Sequence, residues 1–152
     1  MKLYGRELWA DLLVRPEVLR DHEAIRGCLR AGAAALGCSV LSEHHQLFEP
    51  SGLTAVVVIG ESHLLASTYE ELGVLAVNIQ TCTGRMELVP GLEAICDFVG
   101  AERARSLVVM RRLDTPFEVE LSCENVPFRD GRLRFDGSPD AGYGFSASKA
   151  IK

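Results

Sequence analysis

Between Leu53 and Thr81 three strand-length segments follow one another with only turn-length gaps. Leu53 to Ile59 is an unbroken apolar, mostly β-branched run. Gly60 and Glu61 part it from Ser62 to Thr68, and a short stretch ending at Gly73 parts that from Val74 to Thr81. A parallel crossover needs about a dozen residues or more. Strands joined by gaps this short therefore pair antiparallel. The run Leu53 to Ile59 hardly alternates, which predicts burial on both faces. Val74 to Thr81 alternates Val74, Ala76, Asn78 and Gln80 against Leu75, Val77, Ile79 and Thr81, the pattern of a strand with one buried face.

The flanking sequence supplies further strands and two helices. Glu7 to Val14 reads as a first strand. Ile25, Cys28, Leu29, Gly32 and Leu36 keep helical spacing, with Asp21 as N-cap, Gly37 as the stop and Pro16 opening a preceding turn. Cys38 to Phe48 reads as a strand ended by the turn signal Pro50-Ser51-Gly52. A second helix is expected over Pro90 to Val99, closed by Gly100, with Leu92, Ile95, Cys96 and Val99 as its apolar stripe. Leu107 to Arg112 and Phe117 to Leu121 read as strands, and Asp130-Gly131 as a hairpin turn. The order is β-α-β-β-β-β-α-β, an α+β, two-layer sandwich with a largely antiparallel sheet and helices on one face. Two helices cover only one side of such a sheet, so a second copy covering the other, in an αββα dimer, is the expected assembly. Residues 1–136 are expected to form one domain and 137–152 a Gly/Ser/Ala-rich tail.

Bulk properties exclude some classes. A formal charge of −5 argues against a nucleic-acid partner. No apolar run approaches membrane-spanning length, and the residues Met1 to Glu7 lack the apolar core of a signal peptide. The expectation is a cytoplasmic protein. Five cysteines at irregular spacing do not suggest a disulfide framework. Cys28 and Cys96 fit helix cores, and the four histidines lack zinc-site spacing.

The chemistry-bearing residues lie in and around the strand series. Gly60-Glu61-Ser62-His63 closes the apolar run. Around it stand Gly5, Leu8 through Asp11, Phe48-Glu49-Pro50-Ser51-Gly52-Leu53-Thr54, Glu71, Ala76-Val77 and Thr81-Cys82. Over roughly Gly5 to Arg112 this resembles the small pyruvoyl-dependent S-adenosylmethionine decarboxylases of bacteria and archaea. The resemblance implies a carboxy-lyase of polyamine (spermidine) synthesis, made as a zymogen that cuts itself between Glu61 and Ser62. Ser62 would become a pyruvoyl group, with no metal, whose ketone forms a Schiff base with the substrate amine and accepts electrons as carbon dioxide leaves. Cys82 would be the proton donor, and Thr54, where the family has a serine, would assist processing. Phe48 would face the substrate and Glu71 would bind its ribose hydroxyls.

Several positions depart from the family pattern. Ser67 stands where the family has the histidine that takes the proton during processing. Asn78 replaces an aspartate, Gln80 an apolar or aromatic residue, and Glu70 the proline of Trp-Pro-Glu, while Thr83 interrupts the usual Cys-Gly step. Two further readings follow from these changes. One is a pyruvoyl decarboxylase acting on ornithine or arginine, or in specialised metabolism. The other is an unprocessed homologue that binds a ligand or regulates a partner.

Overall fold

The computed structural model describes residues 4–60, 62–83, 85–112, 114 and 121–126. Along the chain run β1 (Tyr4–Leu13), α1 (Pro16–Leu19), α2 (His22–Ala35), β2 (Val40–Leu47), β3 (Leu53–Ile59) and β4 (Ser62–Tyr69). A 3-10 turn at Glu70–Leu72 leads to β5 (Val74–Thr81), α3 (Val89–Val99), β6 (Arg103–Arg112) and β7 (Leu121–Val126). The strands form one sheet in the order β2-β3-β4-β5-β1-β6-β7, and every neighbouring pair is antiparallel. The first strand thus lies between β5 and β6, so residues distant in sequence close the middle of the sheet.

Local chemistry sets the helix ends. The Asp21 carboxylate accepts the Ala24 N–H at 3.0 Å, satisfying one of the donors a helix start leaves open. Past the end of α2, Gly37 takes a φ of +68° and donates its N–H to the Ala34 carbonyl. Pro90 stands in the first turn of α3, and Gly100 closes it at φ +63°. Pro16 opens the four-residue helix α1.

Both long helices lie on one face of the sheet. Helix α2 packs on β3 and β4, and α3 packs on β1 and on α2. Leu8, Leu12, Leu64, Leu75 and Ile79 meet Ile25, Leu29, Leu92 and Ile95 in a core sealed from solvent. The helices approach closely through glycine. A Cβ on Gly32 would come within 2.9 Å of Ile95 and 3.0 Å of Leu64, and one on Gly91 within 2.9 Å of Leu36.

Among the described residues no helix covers the other face of the sheet. On β3, Leu53, Ala55, Val57 and Ile59 are buried while Thr54, Val56 and Val58 are only half-buried. Among the described residues of one chain the run is thus buried on one face and half-buried on the other. An apolar residue looks the same in sequence whichever face it occupies, so the run hid its alternation. The open face also presents Leu65, Leu107, Val109 and Trp9, the last 56% exposed. Strand β6 begins at Arg103, four residues before the expected start. The expected strand Phe117 to Leu121 meets β7 only at Leu121, and residues 117–120 lie outside the described residues. So do the Asp130-Gly131 turn and the tail 137–152. Among the described residues no helix is long and apolar enough to cross a membrane.

The two glycine sites on α2 predict opposite outcomes. At Gly32 a side chain meets the packed core, so Gly32→Leu should cost about 1–3 kcal/mol by overpacking. At Gly27 the nearest atom is the tip of Phe98, a ring 52% exposed and able to swing outward. Gly27→Ala should therefore gain up to about 1 kcal/mol of helix propensity. Urea unfolding midpoints of the two variants check both signs.

Candidate active site

The hairpin between β3 and β4 sets the position of Ser62. Ile59 pairs with Ser62, so the connection is only Gly60 and Glu61. Ser62 is the first residue of β4, not a residue of the turn itself, and is half-buried. Across the sheet it faces Thr81 of β5, which in turn faces Arg6 of β1. Thr81 is buried, and its hydroxyl donates to the Thr83 carbonyl at 3.2 Å. Cys82 follows directly and is exposed, one residue past the partner of Ser62. Glu61 lies outside the described residues. Ser62, Thr81 and Cys82 thus meet at one end of the central strands.

The remaining candidates gather at the other end. Thr54 and Ser67 face each other across β3 and β4, with their hydroxyl oxygens 2.8 Å apart. Ser67 is five residues along β4 from Ser62, roughly 16 Å at about 3.3 Å per residue. Phe48, exposed just past β2, donates its N–H to the Gly52 carbonyl at 2.9 Å. It borders a surface cleft of about 400 Å³ that Arg20, His22 and Glu70 also line. Glu70 is held there by Arg20 at 3.1 Å, while Glu71 on the same 3-10 turn is exposed. Within one chain, Thr54, Ser67, Phe48 and Glu71 therefore stand apart from Ser62 and Cys82.

Directly after Ser62, on the open face, a pair appears that sequence reasoning did not join. His63 Nε2 lies 3.1 Å from Asn78 Oδ1, and Asn78 Nδ2 donates to the Leu8 carbonyl at 3.4 Å. The Leu8 carbonyl turns the amide so that its oxygen faces the ring, and the ring nitrogen nearest it donates. The β4–β5 register places His63 opposite Gln80, one diagonal step from Asn78. Strand spacing alone could have located this pair once both strands were assigned. His44 and His45, given no role, lie exposed on the edge strand β2.

The chain can therefore place a serine hydroxyl beside the peptide bond that precedes it, with a thiol one residue beyond the facing strand. Comparison with known proteins gives this arrangement its context. Residues 6–112 match the family described as S-adenosylmethionine decarboxylase. This chain belongs to that family. A relative called S-adenosylmethionine decarboxylase proenzyme, from Caldicellulosiruptor saccharolyticus, is 33% identical over 127 residues, covering 83% of this chain and all of that protein. Another of that name, from Symbiobacterium thermophilum, is 34% identical over 111 residues, covering 72% of this chain and 81% of the relative. The crystal structure of the adenosylmethionine decarboxylase from Aquifex aeolicus VF5 superposes with a TM-score of 0.63 at 27% identity. That alignment covers 71% of this chain and 90% of that one. As an S-adenosylmethionine decarboxylase family member, the chain falls among pyruvoyl-dependent carboxy-lyases made as proenzymes.

The residues at the Ser62 end fit that kind of group. A serine hydroxyl, the kind of group from which a pyruvoyl can form, stands half-buried at a strand start, and the neighbouring Thr81 hydroxyl is already committed to Thr83. Among the described residues no cluster of His, Cys, Asp and Glu converges as a metal site.

The thiols differ sharply in environment. Burial pushes the Cys28 thiol up to about 12, with nearby Cys96 adding to the shift. Near pH 8 Cys28 is thus held as the unreactive thiol, and only thiolate attacks an alkylating agent. Iodoacetamide treatment of the folded chain at pH 8 should label Cys82 well before Cys28. Peptide masses at successive times check the order.

Proposed function

We propose that this chain is the proenzyme of an S-adenosylmethionine decarboxylase of polyamine synthesis, in which Ser62 is the pyruvoyl precursor and Cys82 the proton donor. The observation that carries the reading is the row Ile59–Ser62–Thr81 with Cys82 directly after it, in a chain matching the family over residues 6–112. For processing, Ser62 Oγ adds to the Glu61 carbonyl carbon. The Glu61–Ser62 carbon–nitrogen bond breaks and the nitrogen takes up a proton, leaving an ester. Removal of the Ser62 α-proton with rupture of the Cβ–O bond then frees residues 1–61 as a carboxylate. The dehydroalanine left at position 62 rearranges and takes up water, releasing ammonia and leaving the pyruvoyl group. That group supplies an electron-withdrawing ketone for loss of carbon dioxide. The chain's own residues bind, orient and return the proton, with the Cys82 thiol as donor. Phe48 offers an aromatic face to a sulfonium cation and Glu71 a carboxylate to a ribose diol.

The reading includes a homodimer. Its support is the face of the sheet that no described helix covers, with Trp9, Val56, Val58 and Leu65 at its surface. Further support is the separation of Ser62 and Cys82 from Thr54, Ser67 and Phe48 in a single chain. A second copy packed face to face and running the other way would bring its Thr54–Ser67 hydroxyl pair to the end of the sheet at which Ser62 of the first stands. Such an interface should bury more than about 1,000 Å². Light scattering at micromolar concentration should give a dimer, and Leu65→Asp, placing a charge on the covered face, should shift it to monomer.

A second reading, an uncleaved ligand-binding homologue, is favoured by one observation. The position expected to supply a base for the elimination holds Ser67, whose hydroxyl is paired with Thr54. A serine hydroxyl does not accept a proton at neutral pH unaided, so the acyl shift has its parts while the elimination is slow. Intact mass separates the readings. The expected result is full-length chain persisting beside fragments 1–61 and 62–152. Ser62→Ala should abolish cleavage, Ser67→His should speed it, and hydroxylamine should cut any accumulated ester after Glu61. An uncut chain that also resists hydroxylamine would establish the second reading. Ornithine and arginine beside S-adenosylmethionine in the assay of the cleaved form would identify the substrate.

A further inference from the structure

We infer that Arg6 is a positioning residue for Cys82, holding the segment that carries the thiol; this rests on the proton-donor reading of Cys82. Arg6 lies in one row with Thr81 and Ser62 across β1, β5 and β4. With strands about 4.8 Å apart, its backbone is roughly 10 Å from that of Ser62. Its side chain leaves the row for the segment that follows Cys82. Arg6 Nη1 donates to the Met86 carbonyl at 3.0 Å and to Glu87 Oε1 at 2.9 Å. The guanidinium is mostly covered, its side chain 14% exposed, while its Glu87 partner is 70% exposed. Arg6 Nε is buried with no partner among the described residues.

This is a costly place for a cation. A covered guanidinium gives up hydration that an apolar side chain of similar volume would not need, and the exposed Glu87 returns little of it. What an apolar side chain cannot do is hold a backbone carbonyl. Among its described residues the stretch from Cys82 to Leu88 has no helix or strand of its own. It is fixed at its start by the Thr81 hydroxyl on the Thr83 carbonyl, and near its end by Arg6 on Met86. Leu88 then enters the core, fully buried ahead of α3. Cys82 sits on the exposed side of these anchors, next to the partner of Ser62. A proton donor displaced by about 1 Å can lose on the order of 10²-fold in rate, so such anchoring has a catalytic consequence.

The test compares Arg6→Met with Arg6→Lys in the full chain. Amide hydrogen exchange is read first in a Ser62→Ala background, where no cleavage is needed. Arg6→Met should retain its unfolding midpoint and exchange about tenfold faster over residues 82–88, with helices and sheet unchanged. Arg6→Lys keeps a donor for the Met86 carbonyl and should be intermediate. In the cleaved enzyme, Arg6→Met should lower kcat about 10- to 100-fold with KM for S-adenosylmethionine within about twofold. Unchanged exchange over 82–88, or faster exchange across the whole sheet, would overturn the proposal. So would locally faster exchange with unchanged kcat. Should Arg6→Met fail to fold, Arg6→Lys carries the same two readouts. A Cys82→Ala control separates the layers: unchanged turnover there removes the donor role and this proposal with it, while the exchange data still report whether Arg6 holds the segment.

Discussion

The two-residue connection between Ile59 and Ser62 is the constraint on which the rest depends. It locks β3 to β4 in one register, and β4 to β5 follows with Ser62 opposite Thr81. Side chains alternate faces with a period of two, so a slip of one residue would exchange every face. Leu64 and Ala66 would leave the core, and the half-buried Ser67 and His63 would enter it. The helices could not cover such a sheet. The core and the placement of Ser62 are therefore fixed by the same pairing.

The two faces of that sheet do different work. One is sealed by α2 and α3 through side chains that are almost all aliphatic. The other mixes Val56, Val58 and Leu65 with polar pairs, Thr54 with Ser67 and His63 with Asn78. Each of those four polar side chains has a partner within the chain. A buried donor or acceptor left unpaired costs about 1–3 kcal/mol. Polar pairs satisfied in this way can be covered by a partner without that penalty. Arg6 is different, a half-buried cation whose guanidinium holds a backbone carbonyl.

Much of the fold was legible because local signals agreed with the global arrangement. Asp21 before the helical stripe, Gly37 and Gly100 after theirs, and Pro90 in a first turn each have a local physical cause, and each took the expected role. Val74 to Thr81 matched its expected bounds because alternation and the flanking turns pointed to the same ends. The errors came where local chemistry is ambiguous. Val56 and Val58 read as core in sequence but are only half-buried within one chain, on the face away from the helices. Arg103 to Ser106 was missed as strand because charged residues alternate there with small ones, and β1 supplies the pairing.

The sequence by itself determined the element types, their order, the antiparallel pairing of β3, β4 and β5, and which side chains carry reactive groups. Those features follow from short-range spacing, caps and turn lengths. Only the tertiary structure decided that Ser62 and Cys82 stand at one end of the sheet while Thr54, Ser67 and Phe48 stand at the other. It alone seated β1 between β5 and β6, which carries Arg6 to Met86, 80 residues away in sequence. The physical reason is that strand pairing joins residues by register. Register is set by burying one face of every strand at once, a condition no single segment contains.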